Sequence, residues 1–186
     1  GLPISYLVGT TLPFAPSGQY NPESKFLIYE ADEYDRNFLH FNPWLSLVTV
    51  VTYDHPDIYP TRKDYQKAFK KFESQSENVF HGDTLAEINN QFTITGTARR
   101  ADAALALRAV QEMAAEIDFD GDASTENLIN ILNDFRSTGR RFEEVGDGFY
   151  TDYAHHPEEV AATISVALEQ AVSKHLDGGV IVVYQP

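Results

Sequence analysis

The 186-residue sequence has no cysteine, which excludes disulfides, thiolate zinc sites and cysteine nucleophiles. Basic residues are also scarce, because 14 Lys and Arg stand against 28 Asp and Glu and give a formal net charge of −14. A surface of this charge repels nucleic-acid phosphates over most of its area, so we expect no nucleic-acid partner. An acidic enzyme of this kind can still handle anions at local basic points or through a divalent metal.

Long apolar runs and several catalytic signatures are missing as well. No run approaches the ~18 apolar residues that a membrane helix needs, so we expect no membrane partner. The sequence has neither a Gly-x-Ser-x-Gly nucleophile elbow nor a Gly-Lys-Ser/Thr phosphate loop. These 186 residues therefore carry no local signature of an α/β-hydrolase nucleophile or of a phosphate loop.

Short apolar runs alternate with amphipathic segments along the chain. The runs at residues 5–8, 25–29, 45–51 and 180–184 predict buried strands of a mostly parallel sheet. Helical periodicity with capping signals predicts helices that begin near Thr61, Arg99, Thr125 and Pro157, the last running to about His175. Alternation of this kind predicts an α/β fold in which helices flank the sheet.

A change of pattern at residues 137–139 predicts a domain boundary. An amphipathic helix precedes it, and two short segments joined by Gly146 and Asp147 follow it, which is typical of a β-hairpin. We therefore expect one domain over residues 1–136 and the beginning of another over residues 139–186.

An acidic cluster follows the apolar run at residues 25–29. Glu30, Asp32, Glu33 and Asp35 lie within six residues, and four carboxylates repel one another unless a cation or proton intervenes. Mg²⁺ is typically held by one or two carboxylates together with phosphate oxygens. A solvated acidic loop is the alternative interpretation.

A second polar cluster, with Asp54, His55 and Asp57, follows the apolar run at residues 45–51. Histidine can bind a metal or act as a base while an acidic neighbour orients its other ring nitrogen. A structural or merely exposed histidine is the alternative. Because ligands bind beyond the carboxyl ends of parallel strands, we expect the two clusters to converge at one sheet edge.

The third cluster joins the arginines at 140 and 141 to residues 152–157. Paired arginines can bind phosphate through planar bidentate contacts, although structural salt bridges are the alternative. His155 and His156 are adjacent, and adjacent side chains of an extended segment point in opposite directions. This argues against a metal site formed by both histidines.

Four motifs, taken in order, resemble signatures of the Mur ligases, the ATP-dependent enzymes of peptidoglycan precursor synthesis. They lie at residues 30–35, 54–59, 139–143 and 152–157. The 25 positions from Glu30 to His55 match the member that joins L-alanine to UDP-N-acetylmuramate. A murein-recycling member that attaches a tripeptide usually has a longer interval there, and it stays as an alternative.

The resemblance implies a reaction and its metal ligands. ATP would phosphorylate the muramoyl carboxylate, the amino group of L-alanine would attack the acyl phosphate, and phosphate would leave. Glu30 matches the ligand of the Mg²⁺ (or Mn²⁺) that bridges the ATP phosphates, and His55 matches the ligand of a second divalent ion.

The resemblance also implies roles after the boundary. Arg141 matches an arginine that reaches the nucleotide phosphates, and Asp152 matches an aspartate that helps to hold the nucleotide. Tyr153, His155 and His156 would shape the amino-acid side of the site. A cytoplasmic location follows from the same resemblance.

The sequence departs from the family in the segment that recognises adenine. Family members carry Gly-x-His-Asn-x-x-Asn. In this chain Ala98 stands in place of the histidine, Arg99 in place of the first asparagine and Asp102 in place of the second. Val50 also replaces an expected asparagine. These changes keep open a nucleotide-binding remnant without catalysis, and a metal-dependent phosphohydrolase that uses Glu30, Asp54 and His55 is a further alternative.

The resemblance implies how much of a ligase these residues represent. Residues 1–136 resemble a central ATP-binding domain without its phosphate loop, and residues 139–186 resemble the start of a Rossmann-like C-terminal domain that binds the amino acid. We interpret the chain as an internal segment of a ligase. By itself, we expect it to have negligible ligase activity.

Overall fold

A computed structural model of the chain describes residues 2–135, 138–175 and 179–185. Within these ranges the strands are β1 (Ile4–Leu7), β2 (Gly18–Gln19), β3 (Phe26–Tyr29), β4 (Leu45–Val48), β5 (Asn78–His81), β6 (Glu143–Gly146) and β7 (Phe149–Thr151). The helices are α1 (Arg62–Gln75), α2 (Ala86–Asn89), α3 (Thr97–Glu116), α4 (Thr125–Asn133) and α5 (Pro157–Ser173), with 3₁₀ segments at Tyr34–His40 and Gly82–Leu85.

The predicted α/β class is confirmed, and the described strands are divided among three small sheets. β1 pairs in parallel with β3 and antiparallel with β2, β4 pairs in parallel with β5, and β6 and β7 form the predicted hairpin. The acidic cluster follows β3 and the Asp54 segment follows β4. Both clusters therefore lie beyond carboxyl ends of parallel strands, as expected. The prediction that they meet at the edge of one sheet was wrong, because β3 and β4 belong to different sheets.

The predicted helix starts are confirmed by their caps. Thr61 precedes α1 and its side chain accepts a hydrogen bond from the backbone N–H of Asp64. α5 has Pro157 in its first turn and His156 as its N-cap, with Glu159 completing a capping box. The helix predicted from Arg99 begins two residues earlier, at Thr97.

Two apolar clusters form the core. The first packs α1 against the 3₁₀ segment Tyr34–His40 and contains Phe38, Tyr59, Tyr65, Ala68 and Phe72. The second packs α3 against α4 and contains Phe92, Ala103, Ala104, Leu107 and Leu128. The first cluster adjoins the acidic cluster, because the hydroxyl groups of Tyr59 and Tyr65 reach Glu33.

Some predicted boundaries were wrong. Residues 180–184 form no strand, because no neighbouring described strand pairs with them, and Ile181 and Val183 are 91% and 95% exposed. β4 ends at Val48 instead of reaching residue 51. Three residues at predicted boundaries lie outside the described residues. They are Arg136 and Ser137, at the predicted domain boundary, and Gly178, at the predicted end of the last helix.

None of the described helices combines the length and apolar character needed to cross a membrane.

Candidate functional site

Glu30 connects the acidic cluster to the loop that follows β1. Its backbone N–H donates to the carbonyl of Leu7, and its carboxylate Oε2 accepts a 2.6 Å hydrogen bond from the backbone N–H of Gly9. A Cβ atom on Gly9 would stand 3.2 Å from that oxygen, so a side chain there would crowd the carboxylate. The Glu30 carboxylate is exposed, and one of its two oxygens is held by the backbone of Gly9.

Glu33 is the acidic residue that contacts the second cluster. Its Oε1 atom lies 3.3 Å from Nε2 of His55. The neighbouring Tyr34 ring packs edge-on against the His55 ring at 5.1 Å, and the Tyr34 hydroxyl donates to Asp57 across 3.5 Å. The structure therefore brings the first two clusters together through Glu33 and Tyr34.

Two core tyrosines support Glu33 from below. The hydroxyl of the fully buried Tyr59 donates to the Glu33 carbonyl at 2.6 Å, and the hydroxyl of Tyr65 donates to Glu33 Oε1 at 3.5 Å. Burial, followed by the negative charge of Glu33, raises the pKa of Tyr65 well above its ordinary value. Tyr65 therefore keeps its proton and stays a donor.

The backbone at the contact between the clusters is strained. Asp35, Arg36 and His55 have φ values of 54°, 61° and 54°, in the left-handed region that non-glycine residues rarely adopt. Strain of this kind persists only where surrounding contacts impose it, and it is common at functional sites. His55 is one partner of the Glu33–His55 contact, and Asp35 and Arg36 follow the other partner closely in the chain.

The third cluster is joined to the second at the start of α5. Thr52, three residues before His55, donates a 2.6 Å hydrogen bond to Glu158 Oε2. The next residue, Glu159, lies 3.9 Å from Nη1 of Arg141. Contacts therefore run from the acidic cluster through the loop after β4 to the basic residues beyond the predicted boundary.

Asp152 braces the segment between the hairpin and α5. Its Oδ2 atom accepts from the backbone N–H of Phe142 and its Oδ1 atom accepts from that of Ala154, both at 2.7 Å. Both carboxylate oxygens are thus already used by backbone donors.

Tyr153, His155 and His156 lie together at the start of α5. His156 caps the helix through Nδ1, while Nδ1 of the exposed His155 lies 3.1 Å from the Tyr153 carbonyl. Arg140 stacks over the Tyr153 ring at 4.8 Å. The two imidazoles have different partners, as their adjacency predicts.

The donor set suits a magnesium ion that takes most of its ligands from substrate and water. Within residues 2–135, 138–175 and 179–185, no three His, Asp or Glu side chains lie close enough to hold an ion together. Glu30 and His55 have separate partners. Mg²⁺ commonly binds through one or two carboxylates plus phosphate oxygens, so Glu30 fits it, whereas common occupation of one pocket by Glu30 and His55 stays a prediction.

The segment that departs from the family motif borders a cleft. Arg99, near the start of α3, lines a cleft of about 360 Å³ together with Phe142 and Tyr150, whose rings stack at 4.5 Å. Asp102 is exposed as a residue, but desolvation of its carboxyl group by the surrounding protein raises its pKa, while the charges of Arg141 and Arg99 act in the opposite direction. The changed residues therefore lie beside Arg141.

Sequence reasoning did not assign roles to Glu33, Thr52 or Glu159. Glu33 was part of the acidic run, but its contact with His55 depends on the turn at Tyr34–His40, which the sequence does not specify. Glu159 could have been found as the third helical residue after a cap, where an acidic side chain completes a capping box. No local signal points to Thr52.

Curated relatives are similar to this chain over nearly its whole length. A UDP-N-acetylmuramate–L-alanine ligase of Lactiplantibacillus plantarum is 30% identical over 99% of the chain and 49% of its own length. The ligases of the same name from Levilactobacillus brevis and Chloroflexus aggregans are 30% and 27% identical over 99% and 100% of the chain. The resemblance to the Mur ligases is confirmed.

The similarity to the Mur ligases covers only part of each relative. The chain spans about half the length of the curated relatives it matches. The alignment with the L. plantarum ligase runs over 224 positions, more than the 186 residues of this chain, so the relative has internal residues without a counterpart here. No family model matches the chain.

Proposed function

We propose that this chain is the nucleotide- and metal-handling part of an ATP-dependent ligase that joins L-alanine to UDP-N-acetylmuramate. The observation that carries the proposal is the contact between Glu33 and His55, which joins two of the four ordered motifs in space. Similarity over 99% of the chain to ligases named for these two substrates supports the choice of reaction. The tripeptide-adding relative is the alternative within the family.

Three side chains suit the handling of ATP phosphates in this proposal, two of them through metal ions and one by direct contact. Glu30 would hold one divalent ion through its carboxylate, and His55 would hold a second through its imidazole. When bound, Mg²⁺ or Mn²⁺ spreads the charge on the transferring phosphoryl oxygens. Arg141 is 54% exposed, so its guanidinium is accessible to a nucleotide phosphate.

The residues at the start of α5 serve positioning roles in this proposal. Asp152 holds the loop between hairpin and helix in shape through its two backbone hydrogen bonds, and so helps to hold the nucleotide. The exposed Tyr153 and His155 face the amino-acid side, and His156 orients α5 as its cap. We also propose that residues 1–136 and 139–186 belong to two domains, and that the ligase works in the cytoplasm.

Release of phosphate by the full-length gene product tests the reaction. With ATP, Mg²⁺, UDP-N-acetylmuramate and L-alanine, we expect phosphate release that stops when L-alanine is omitted. Release without L-alanine would indicate a phosphohydrolase, and a preference for a tripeptide acceptor would indicate the recycling ligase. The 186-residue chain alone should give negligible turnover, because it contains no phosphate loop.

A nucleotide-binding remnant is the second candidate, and the residues at 98, 99 and 102 favour it. Replacement of the family's His and Asn by Ala98 and Arg99 removes neutral hydrogen-bonding groups from the start of α3. Calorimetric titration of the full-length product with ATP and Mg²⁺ separates the two candidates. Nucleotide binding without turnover would support the remnant, and binding with alanine-dependent turnover would support the ligase.

A further inference from the structure

We propose that Glu33 is a positioning residue for His55. Its carboxylate faces Nε2 of the imidazole, so the other ring nitrogen, Nδ1, remains available to bind a divalent cation. The inference rests on the proposed function, because it takes His55 as a metal ligand. It goes further by naming the residue that orients the imidazole and the ring nitrogen that remains available.

The first argument is the environment of Nε2. This nitrogen lies 3.3 Å from Oε1 of Glu33 and 3.9 Å from Oδ2 of Asp54, so two carboxylates face the same atom. An ionised carboxylate can only accept, and its charge favours a proton on the nitrogen that faces it. A neutral imidazole carries one N–H, so Nδ1 keeps its lone pair. Metal-binding histidines commonly direct their other ring N–H to a carboxylate, and the Glu33 carboxylate is the nearer of the two to Nε2.

The second argument is that Glu33 is itself held in place. Tyr59 donates to its backbone carbonyl at 2.6 Å, and Tyr65 donates to the same Oε1 that faces His55. Both tyrosines belong to the buried cluster beneath the site, so the carboxylate is fixed to the core. A carboxylate anchored by rigid neighbours can orient an imidazole, whereas a freely rotating one cannot.

The third argument is that the His55 ring has few alternative positions. The His55 carbonyl accepts from the backbone N–H groups of Ile58 and Tyr59 at 3.0 and 2.9 Å, which fixes the left-handed backbone at this residue. The Tyr34 ring contacts the imidazole edge-on. With Glu33 on one ring edge and Tyr34 against the ring, the imidazole is held before any ion arrives.

The chain offers a matched control in a second pair of the same composition. Nε2 of His81 lies 3.7 Å from Oε1 of Glu73, and the exposure of these side chains is similar to that of the Glu33–His55 pair. His81 ends β5 and lies outside the four motifs in the sequence. A Glu73→Ala variant therefore removes a comparable carboxylate without touching His55.

Nitrogen-15 NMR of the metal-free 186-residue chain tests the orientation directly. At about pH 8, where an ordinary imidazole is neutral, we expect the His55 proton on Nε2 and a nuclear Overhauser effect between the His55 and Tyr34 rings. Glu33→Ala should weaken that effect at least twofold and Glu33→Gln should retain part of it, because the amide oxygen can still face the N–H. Glu73→Ala should leave the His55 signals unchanged. A proton on Nδ1, or a Glu33→Ala spectrum identical to the parent for His55, would overturn the proposal.

Titration with Zn²⁺ alone, followed at the His55 nitrogens, tests the role toward a cation. We expect the Nδ1 resonance to move while the proton stays on Nε2, and Glu33→Ala should weaken the affinity read from this shift by roughly 10- to 100-fold. Loss of the Nε2 proton on titration would place the ion on the wrong nitrogen and overturn the inference. If the metal-free spectra show the expected orientation but Zn²⁺ leaves Nδ1 unmoved, the metal-binding role in the proposed function fails while the pairing of Glu33 with His55 stands.

Discussion

Thr52 Oγ1 donates a 2.6 Å hydrogen bond to Glu158 Oε2, which joins residues 106 positions apart in the sequence. Thr52 belongs to the loop that follows β4 and carries His55, and Glu158 lies in the first turn of α5. A carboxylate in that turn is favoured by the helix dipole, so its charge is well placed to accept. The bond ties the histidine loop to the motif that begins α5.

Replacement of Thr52 by valine should loosen this connection. The two side chains have nearly the same shape, so the expected loss of about 1 kcal/mol in the free energy of unfolding comes from the missing hydrogen bond. Urea denaturation measures the loss. Hydrogen exchange should also rise at the first turn of α5.

Thr84→Val is the control for this prediction. The Thr84 hydroxyl donates to the carbonyl of His81 within its own segment, so its removal should leave exchange in α5 unchanged. Equal exchange in α5 for the two variants would show that the Thr52–Glu158 bond does not hold the helix.

Gly96→Ala should be strongly destabilising, because position 96 has a backbone conformation that favours glycine and no room for a Cβ atom. Its φ is +95°, and a Cβ atom would stand 2.5 Å from Cγ2 of Val166 in α5. Backbone strain of roughly 1–2 kcal/mol and overpacking of roughly 1–3 kcal/mol should together lower the free energy of unfolding by about 3 kcal/mol. Chemical denaturation of the purified variant measures the change.

Gly148→Ala separates the two contributions. Gly148 has a φ of +75°, but a Cβ atom there would meet nothing within 4 Å. We expect a loss of only about 1–2 kcal/mol from backbone strain. Equal losses at the two positions would mean that the contact with Val166 costs nothing.

The local parts of this fold could be predicted from sequence because each has its own signal. Thr61 caps α1, Pro157 opens α5, and the segment around Gly146 and Asp147 forms a hairpin. Residues 180–184, which the sequence predicted to be a strand, have no such local signal to decide the matter. Their apolar pattern is suitable, but a strand exists only where another strand pairs with it, and pairing is not a local property.

The sequence could predict which polar clusters form the candidate site, but it could not predict which side chains of those clusters contact one another. The acidic run and the His55 segment each follow the carboxyl end of a strand that has a parallel partner, and a sequence pattern can indicate this. The two strands belong to different sheets, so the clusters meet through Glu33 and Tyr34 and not at one sheet edge. Which carboxylate meets the imidazole depends on the left-handed turn at Asp35 and Arg36. That turn directs Glu33 to His55, while Glu30 faces Gly9.

Tyr59→Phe tests how far the core supports the site. The phenyl ring keeps the packing of the fully buried Tyr59, but the 2.6 Å hydrogen bond to the Glu33 carbonyl is lost. We expect a loss of about 1.5 kcal/mol in the free energy of unfolding. Tyr6→Phe is the control, since its exposed hydroxyl donates to the Pro16 carbonyl and should matter less. A Tyr59→Phe loss no larger than that of Tyr6→Phe would contradict the role of the core in holding Glu33.

Thr61→Ala should destabilise α1 in a way that depends on pH. Thr61 caps the helix and its hydroxyl donates to Asp64 Oδ2 at 2.7 Å; this bond is the main cause that lowers the pKa of Asp64 below its ordinary value of 3.8. A lowered folded-state pKa adds stability above the unfolded pKa, and that stability is lost as the pH falls through the folded value. At pH 7 the loss of the cap should cost about 1 kcal/mol in the free energy of unfolding.

The difference between the parent chain and Thr61→Ala should therefore shrink once the pH falls below about 4, because the protonated Asp64 no longer gains from the hydroxyl. Urea denaturation at a series of pH values measures this. Ser74→Ala is the control, since the Ser74 hydroxyl donates to the Lys71 carbonyl, which does not titrate. Its effect should be the same at every pH. A Thr61→Ala difference that stays constant into the acid range would show that Asp64 gains nothing from its ionised contact with Thr61.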